Sequence, residues 1–198
     1  PAHLAERSRS LGRPAGALRW VLYWMRTAVR GHENPALDVA AELARAADVP
    51  LFCYHALSER YPYASDRHHT FVLEGARDVE AELADRGVGY AFHLARPGHR
   101  GPHLVHLARD AGVVVTEDLP VPPLAGWTEA LARRAEVPVI LVDTACVVPM
   151  RLTRRPTRAF RHRAATAPLR DARLERPWTE ADVPARPFVP ELPYAPLR

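Results

Sequence analysis

Three short stretches of this chain gather the side chains that chemistry needs. RTAVRGHENPAL holds Arg26, Arg30, His32, Glu33 and Asn34. HALSERY holds His55, Ser58, Glu59, Arg60 and Tyr61, and TED holds Thr116, Glu117 and Asp118. Carboxylates and imidazoles that converge on one point can move protons, so Glu33, His55, Glu117 and Asp118 are the acid–base candidates. Arginine forks suit phosphate or carboxylate, and Trp24, just upstream, offers a flat face for stacking if it points out of the fold. Loops are polar in any soluble protein, so each residue taken singly also fits an ordinary surface.

Other chemistries find no support. The stretch after Met25 has one glycine, which argues against a dinucleotide fingerprint or a Walker loop. No G-x-S-x-G elbow is present. His99, His103 and His106 are spaced by four and three, which places them on one helical face if the helix starts early enough. No acidic ligand lies close by, so surface imidazoles are preferred and no metal is expected. Cys53 and Cys146 each lie in an apolar run and lack zinc-site spacing, which reads as two free thiols.

The elements that must position these loops follow from periodicity. Five short apolar runs occur at residues 19–25, 49–56, 88–95, 112–118 and 137–149. Four are nearly continuous, as in parallel strands covered on both faces; the third alternates more and reads as an edge strand. Helical spacing lies between them at 34–47, 66–86, 101–111 and 122–135, with Asn34 as N-cap and Pro35 in the first turn. Right-handed crossovers then predict an α/β, doubly wound, Rossmann-like five-stranded parallel sheet in order 3-2-1-4-5, with helices on both faces. The direction reverses between strands one and four, where such folds bind ligands beyond the carboxyl ends of the strands. A ligand is therefore expected over Trp24 and residues 26–34, facing 116–118, with the helix start at Asn34 favouring anions.

With 198 residues, 47% of them hydrophobic, the chain can build one core with arms. The division expected is an N-terminal arm (1–18), the α/β domain (19–150) and an extended, basic, Pro-rich linker or wrapping arm (151–198). No apolar run is long enough to span a membrane and the start lacks a secretory pattern, so a cytoplasmic location is expected. All basic side chains are Arg, and nine fall within 151–176 against Asp171 and Glu175. Arg154, Arg155, Arg158, Arg161 and Arg163 are the candidates for contact with nucleic acid or a partner; a solvated linker is the alternative. One short helix is expected at about 158–167. The last 22 residues, with six prolines from Pro177 on, read as extended.

The ordered set YWMRTAVRGHENPALDVAAELA, DRHHTFVLEGARDVEAELADRGV, VVVTED and VDTACVVPM resembles the amino-terminal α/β domain of the DNA photolyase and cryptochrome family. Class II cyclobutane pyrimidine dimer photolyases are the particular likeness. Tyr23, Trp24, Met25, Arg30, Glu33, Asn34, Ala36 and Leu37 carry it first, then Arg67, His68, Phe71, Leu73, Glu74 and Gly75. The resemblance implies a part of a light-driven DNA repair lyase, deoxyribodipyrimidine photo-lyase. In that family the amino-terminal domain holds an antenna chromophore (deazaflavin, flavin or folate), and a helical domain binds FAD and does the repair. The chain ends where the family's linker leads into the helical domain, so FAD is expected only there and repair by this segment alone is not. RLTRRPTRAFRHRAAT departs from the polar, acid-containing segment of the family and puts the interdomain or DNA contact in doubt. Three readings follow: the antenna-type domain; a stand-alone small-molecule or nucleotide-binding protein or enzyme descended from it; and an interaction module acting through the Arg-rich arm.

Overall fold

The computed structural model describes residues 1–12, 16–61, 64–153, 158–184 and 187–197. The chain runs α1 (Ala2–Ala5), β1 (Ser8–Leu11), β2 (Val21–Met25), α2 (Pro35–Ala47), β3 (Leu51–Ser58), α3 (Asp66–Asp85), β4 (Gly89–Ala95), α4 (His103–Ala111), β5 (Val114–Glu117), α5 (Leu124–Ala135), β6 (Val139–Val142), a 3-10 turn (Met150–Leu152) and α6 (Ala159–Leu174). The strands form one sheet in order β1-β6-β5-β2-β3-β4. Strands β2 to β6 are the five expected, parallel and in the expected order, with β4 at an edge.

The sheet has six strands, not five. Ser8–Leu11, within the segment expected to be an arm, pairs antiparallel with β6, Ser8 opposite Val142 and Leu11 opposite Val139. This strand is four residues long and half exposed, so it has no apolar run to announce it. It caps the open edge of β6, which would otherwise present unpaired backbone groups.

Alternation sends Tyr23 and Met25 to one face and Leu22 and Trp24 to the other. The first face packs on α2, through Ala36, Leu37, Ala40 and Ala44, and on Val79 and Leu83 of α3. The second packs on Leu107, Ala108 and Ala111 of α4 and Leu131 and Ala135 of α5. Helix α2 starts where Asn34 accepts hydrogen bonds from the Ala36 and Leu37 amides (3.1 and 3.2 Å), with Pro35 in the first turn. Helix α4 stops at Gly112, whose φ of 94° favours glycine.

The segment after α6 wraps the domain. Trp178, Ala181 and Val183 pack against the α2 face, and Phe188, Leu192 and Tyr194 against the other face. At Phe188 the strap passes so close to Gly89, at the edge strand β4, that a Cβ there would overlap the Phe188 carbonyl. Leu197 N–H then donates to Phe92 O (3.0 Å), an antiparallel bridge on β4. Helix α6 is longer than the expected 158–167, continuing through Pro168 to Leu174. No residue of α6 is buried, so water can satisfy the carbonyl that the proline leaves unbonded.

Candidate functional site

The carboxyl ends of β2 and β5 meet at the point where the strand order reverses, and their polar residues join in one buried network. Glu117, last residue of β5, is 0% exposed. Its Oε1 accepts from the Tyr23 hydroxyl (3.0 Å) and the Arg26 backbone N–H (3.1 Å). Its Oε2 lies 3.5 Å from Arg26 Nε and has no hydrogen-bond partner. Burial together with the Glu117 charge raises the Tyr23 phenol well above its ordinary pKa, keeping it a neutral donor.

Arg26 forms the roof of this network. Its guanidinium lies 4.4 Å from the centroid of the Trp24 ring. Nε donates to Thr116 Oγ1 (3.1 Å), Nη1 to Leu124 O (3.3 Å) and Nη2 to Glu117 O (2.5 Å). The Thr116 hydroxyl donates to Trp24 O (2.8 Å), which ties β5 to β2. Desolvation lowers the Arg26 pKa and Glu117 opposes that shift. Trp24 therefore lies beneath this resident cation and presents no open stacking face.

Asn34 closes the other side. Its Nδ2 donates to Tyr23 Oη (3.1 Å), Ala28 O (3.0 Å) and Arg30 O (2.9 Å), while its Oδ1 caps α2. The helix-start amides expected to attract an anion are thus already partnered within the chain. Arg30 donates from Nε and Nη2 to Glu33 O. His32, largely exposed, sits 3.3 Å from Glu82 Oε2. Glu33 adopts φ 43° and its N–H donates to Glu180 Oε1 of the strap (2.7 Å). Asp118 makes a bidentate pair with Arg9 of β1 (2.6 and 2.7 Å).

The structure thus joins Trp24, Arg26, Asn34, Thr116 and Glu117, with Arg30, His32 and Glu33 on the rim and Asp118 turned to β1. His55 lies apart from them, its Nδ1 3.0 Å from the Tyr90 hydroxyl and its ring 4.9 Å from Phe92. Burial pulls its pKa down to about 4, so it is neutral at physiological pH. His99 precedes α4, and His103 meets His93 edge-on at 4.8 Å, so the three histidines do not share one helix. Among the described residues no group of three or more potential ligands could hold a metal ion. Cys53 and Cys146 are free thiols. Arg158, Arg161 and Arg163 are exposed at the start of α6; Arg154 and Arg155 lie outside the described residues.

Tyr23, central to this arrangement, and Arg9, which holds Asp118 at β1, were not among the site candidates read from sequence. Tyr23 sits inside an apolar strand, and Arg9 belongs to a strand with no apolar signal. Asp38 was also missed: fully buried on α2, it accepts from Trp178 Nε1 (2.8 Å) and the Ala181 N–H (3.0 Å) and pins the strap. A lone acid inside the apolar stretch PALDVAA was its only signal.

A mostly parallel sheet wound in both directions from β2 and β5, with polar side chains gathered at that switch point, defines a Rossmann-like α/β domain. The chain matches the family model described as DNA photolyase over residues 21–183. It is 33% identical over 148 residues to a deoxyribodipyrimidine photo-lyase of Methanothermobacter thermautotrophicus, covering 74% of this chain and 33% of that protein. A deoxyribodipyrimidine photo-lyase of Potorous tridactylus is 29% identical over 132 residues, covering 65% and 24%. The archaeal photolyase from Sulfolobus tokodaii, solved with two FAD molecules, aligns with a TM-score of 0.53 at 11% identity, over 68% of this chain and 32% of that one. This chain belongs to the DNA photolyase family and matches its N-terminal α/β region. It spans a third or less of the length of these curated relatives. No helix among the described residues is long and apolar enough to cross a membrane.

Proposed function

We propose that this domain is the antenna-type part of a light-driven DNA repair protein, holding a flavin, deazaflavin or folate at the switch-point edge. The observation that carries the proposal is the buried Tyr23–Glu117–Arg26–Asn34 network at that edge. Glu117 Oε2 lacks a hydrogen-bond partner there, and such an atom costs free energy unless a donor reaches it. A chromophore ring N–H is one such donor. Arg26, held over Trp24, would have to move for a ring to stack on the indole, and Arg30 and His32 on the rim suit an anionic tail. When bound, such a group supplies light absorption; the chain supplies position and hydrogen bonds.

The test is an absorption spectrum from 300 to 500 nm on protein purified from its native host, with mass spectrometry of whatever denaturation releases. A deazaflavin, flavin or folate whose affinity falls in Glu117→Ala and Arg30→Ala supports the reading. Colourless protein that takes up none of these three on titration overturns it, as does affinity unchanged in both variants.

A second reading rests on α6. The helix buries none of its residues, leaves Phe160 63% and Leu174 61% exposed, and carries Arg158, Arg161 and Arg163 at its start. Such a surface suits a nucleic-acid or acidic protein partner. Binding to DNA that weakens steeply with salt, and less steeply in an Arg161→Ser/Arg163→Ser variant, supports it.

A further inference from the structure

A cavity of about 390 Å³ lies away from the switch point, between the first residues of the chain and the start of the strap. His3, Glu6 and Arg7 form one wall, Arg173, Leu174 and Arg176 a second, and Trp178 with Thr179 a third, with Val147 beside them. Its size falls within the range of small-molecule sites, about 300–1,000 Å³.

The charge on these walls is unbalanced. Glu6 is the single carboxylate and is taken by Arg173, which grips both its oxygens (3.0 and 2.5 Å). Arg7 is buried, yet its hydrogen bonds go to main-chain carbonyls: His3 O (3.3 Å), Asp143 O (2.7 Å) and Cys146 O (3.3 Å). Neither Arg7 nor Arg176 has a carboxylate within 4.0 Å among the described residues. The nearby acids make their hydrogen bonds elsewhere, although Asp143 and Glu6 favour the Arg7 cation through space and offset part of its desolvation. Asp38 is held by Trp178 Nε1 and the Ala181 N–H, and Asp143 by the amides of Ala145, Cys146 and Met150. A buried guanidinium without a carboxylate is costly, and an anion in the cleft would relieve that cost.

The same walls carry apolar surface and an indole that Arg7 and His3 partly cover. The Trp178 indole has His3 edge-on at 5.1 Å and the Arg7 guanidinium 5.5 Å from its ring centroid. His3 Nε2, shut off from solvent, has no partner among the described residues. Val147 and Leu174 are substantially exposed at the cleft although both are apolar. Cations, an aromatic face and exposed aliphatic groups together recognise a ligand that is anionic at one end and planar and apolar at the other.

We infer that the cleft between Arg7, Arg176 and Trp178 binds a small planar ring carrying a phosphate, of the nucleoside monophosphate class. The phosphate lies between the Arg7 and Arg176 guanidiniums, and the ring lies against Trp178, Val147 and Leu174. This site is separate from the switch-point edge and stands whether or not a chromophore binds there.

Isothermal titration with AMP tests it, with adenosine and inorganic phosphate as the two halves of the probe. AMP is expected to bind at least tenfold more tightly than either half. Arg176→Glu should weaken AMP roughly tenfold, the loss of one charge-assisted contact. Its side chain makes no ion pair in the fold, so the variant should keep its circular dichroism. Val147→Asp, which adds a carboxylate at the cleft, should act in the same direction, while Arg133→Ala on the exposed face of α5 should have no effect. AMP that binds no better than phosphate, or equally well in Arg176→Glu and Val147→Asp, overturns the assignment.

Discussion

Removing Glu117 should expose how much of this fold depends on one buried ion pair. Its carboxylate accepts two hydrogen bonds and faces a guanidinium whose side chain is only 7% exposed. Breaking a buried pair by deleting one partner costs about 3–5 kcal/mol, because the other charge stays buried. Arg26 keeps its bonds to Thr116 Oγ1 and Leu124 O, so the loss should fall within that range. We expect Glu117→Ala to lose about 3–5 kcal/mol, and Arg26→Met, which strands the carboxylate, about 3 kcal/mol. For a chain of this size each kcal/mol lowers Tm by roughly 2–4 °C. The double variant should be much less damaged than the two losses combined, with a coupling of about 2 kcal/mol. Urea unfolding followed by circular dichroism on all four proteins measures the cycle. Additivity within about 0.5 kcal/mol would mean the two charges do not depend on each other and would refute the reasoning.

Three more outcomes follow from the same geometry. Gly89→Ala should push the strap off β4, at a cost of about 1–3 kcal/mol, and speed hydrogen exchange of the Leu197 amide that bonds to Phe92. Asn34→Ala removes the cap of α2 and its three buried Nδ2 bonds, so a loss of about 2 kcal/mol is expected by urea unfolding, above an ordinary cap. His55 is held neutral in the fold, with a pKa of about 4 against 6.5 unfolded. The unfolded chain therefore takes up its proton first, and stability should fall as pH drops from 6.5 towards 4, by about 3 kcal/mol, with no effect from this group above that window. His3, His93 and His103 are shifted in the same direction and add to the slope; His55→Leu should flatten it in pH-dependent urea titrations.

How much of the site was legible depends on how each residue announces itself. Asn34 followed by Pro35 is a local signal, because a cap is satisfied by amides two and three positions on, and it held in the structure. Thr116 and Glu117 were legible as strand-end polar residues in a parallel sheet, where topology alone brings them beside the end of β2. Whether Trp24 faced a ligand or the core was not legible, since alternation fixes opposite faces without saying which helix covers each. Arg26 decided it by folding back over the ring.

The sequence by itself determined the α/β class, the order of the five parallel strands and the family. The first two depend on local periodicity and on chain-order rules that hold wherever the chain folds, and the family on the ordered residues that resemble it. Tertiary structure decided what the crevice contains. Arg9 reaches Asp118 across 109 positions, Trp178 reaches Asp38 across 140, and Arg26 reaches Glu117 across 91. Pairing of this kind has no period and no motif, because a guanidinium or an indole N–H finds its partner through space after the sheet and the strap have closed.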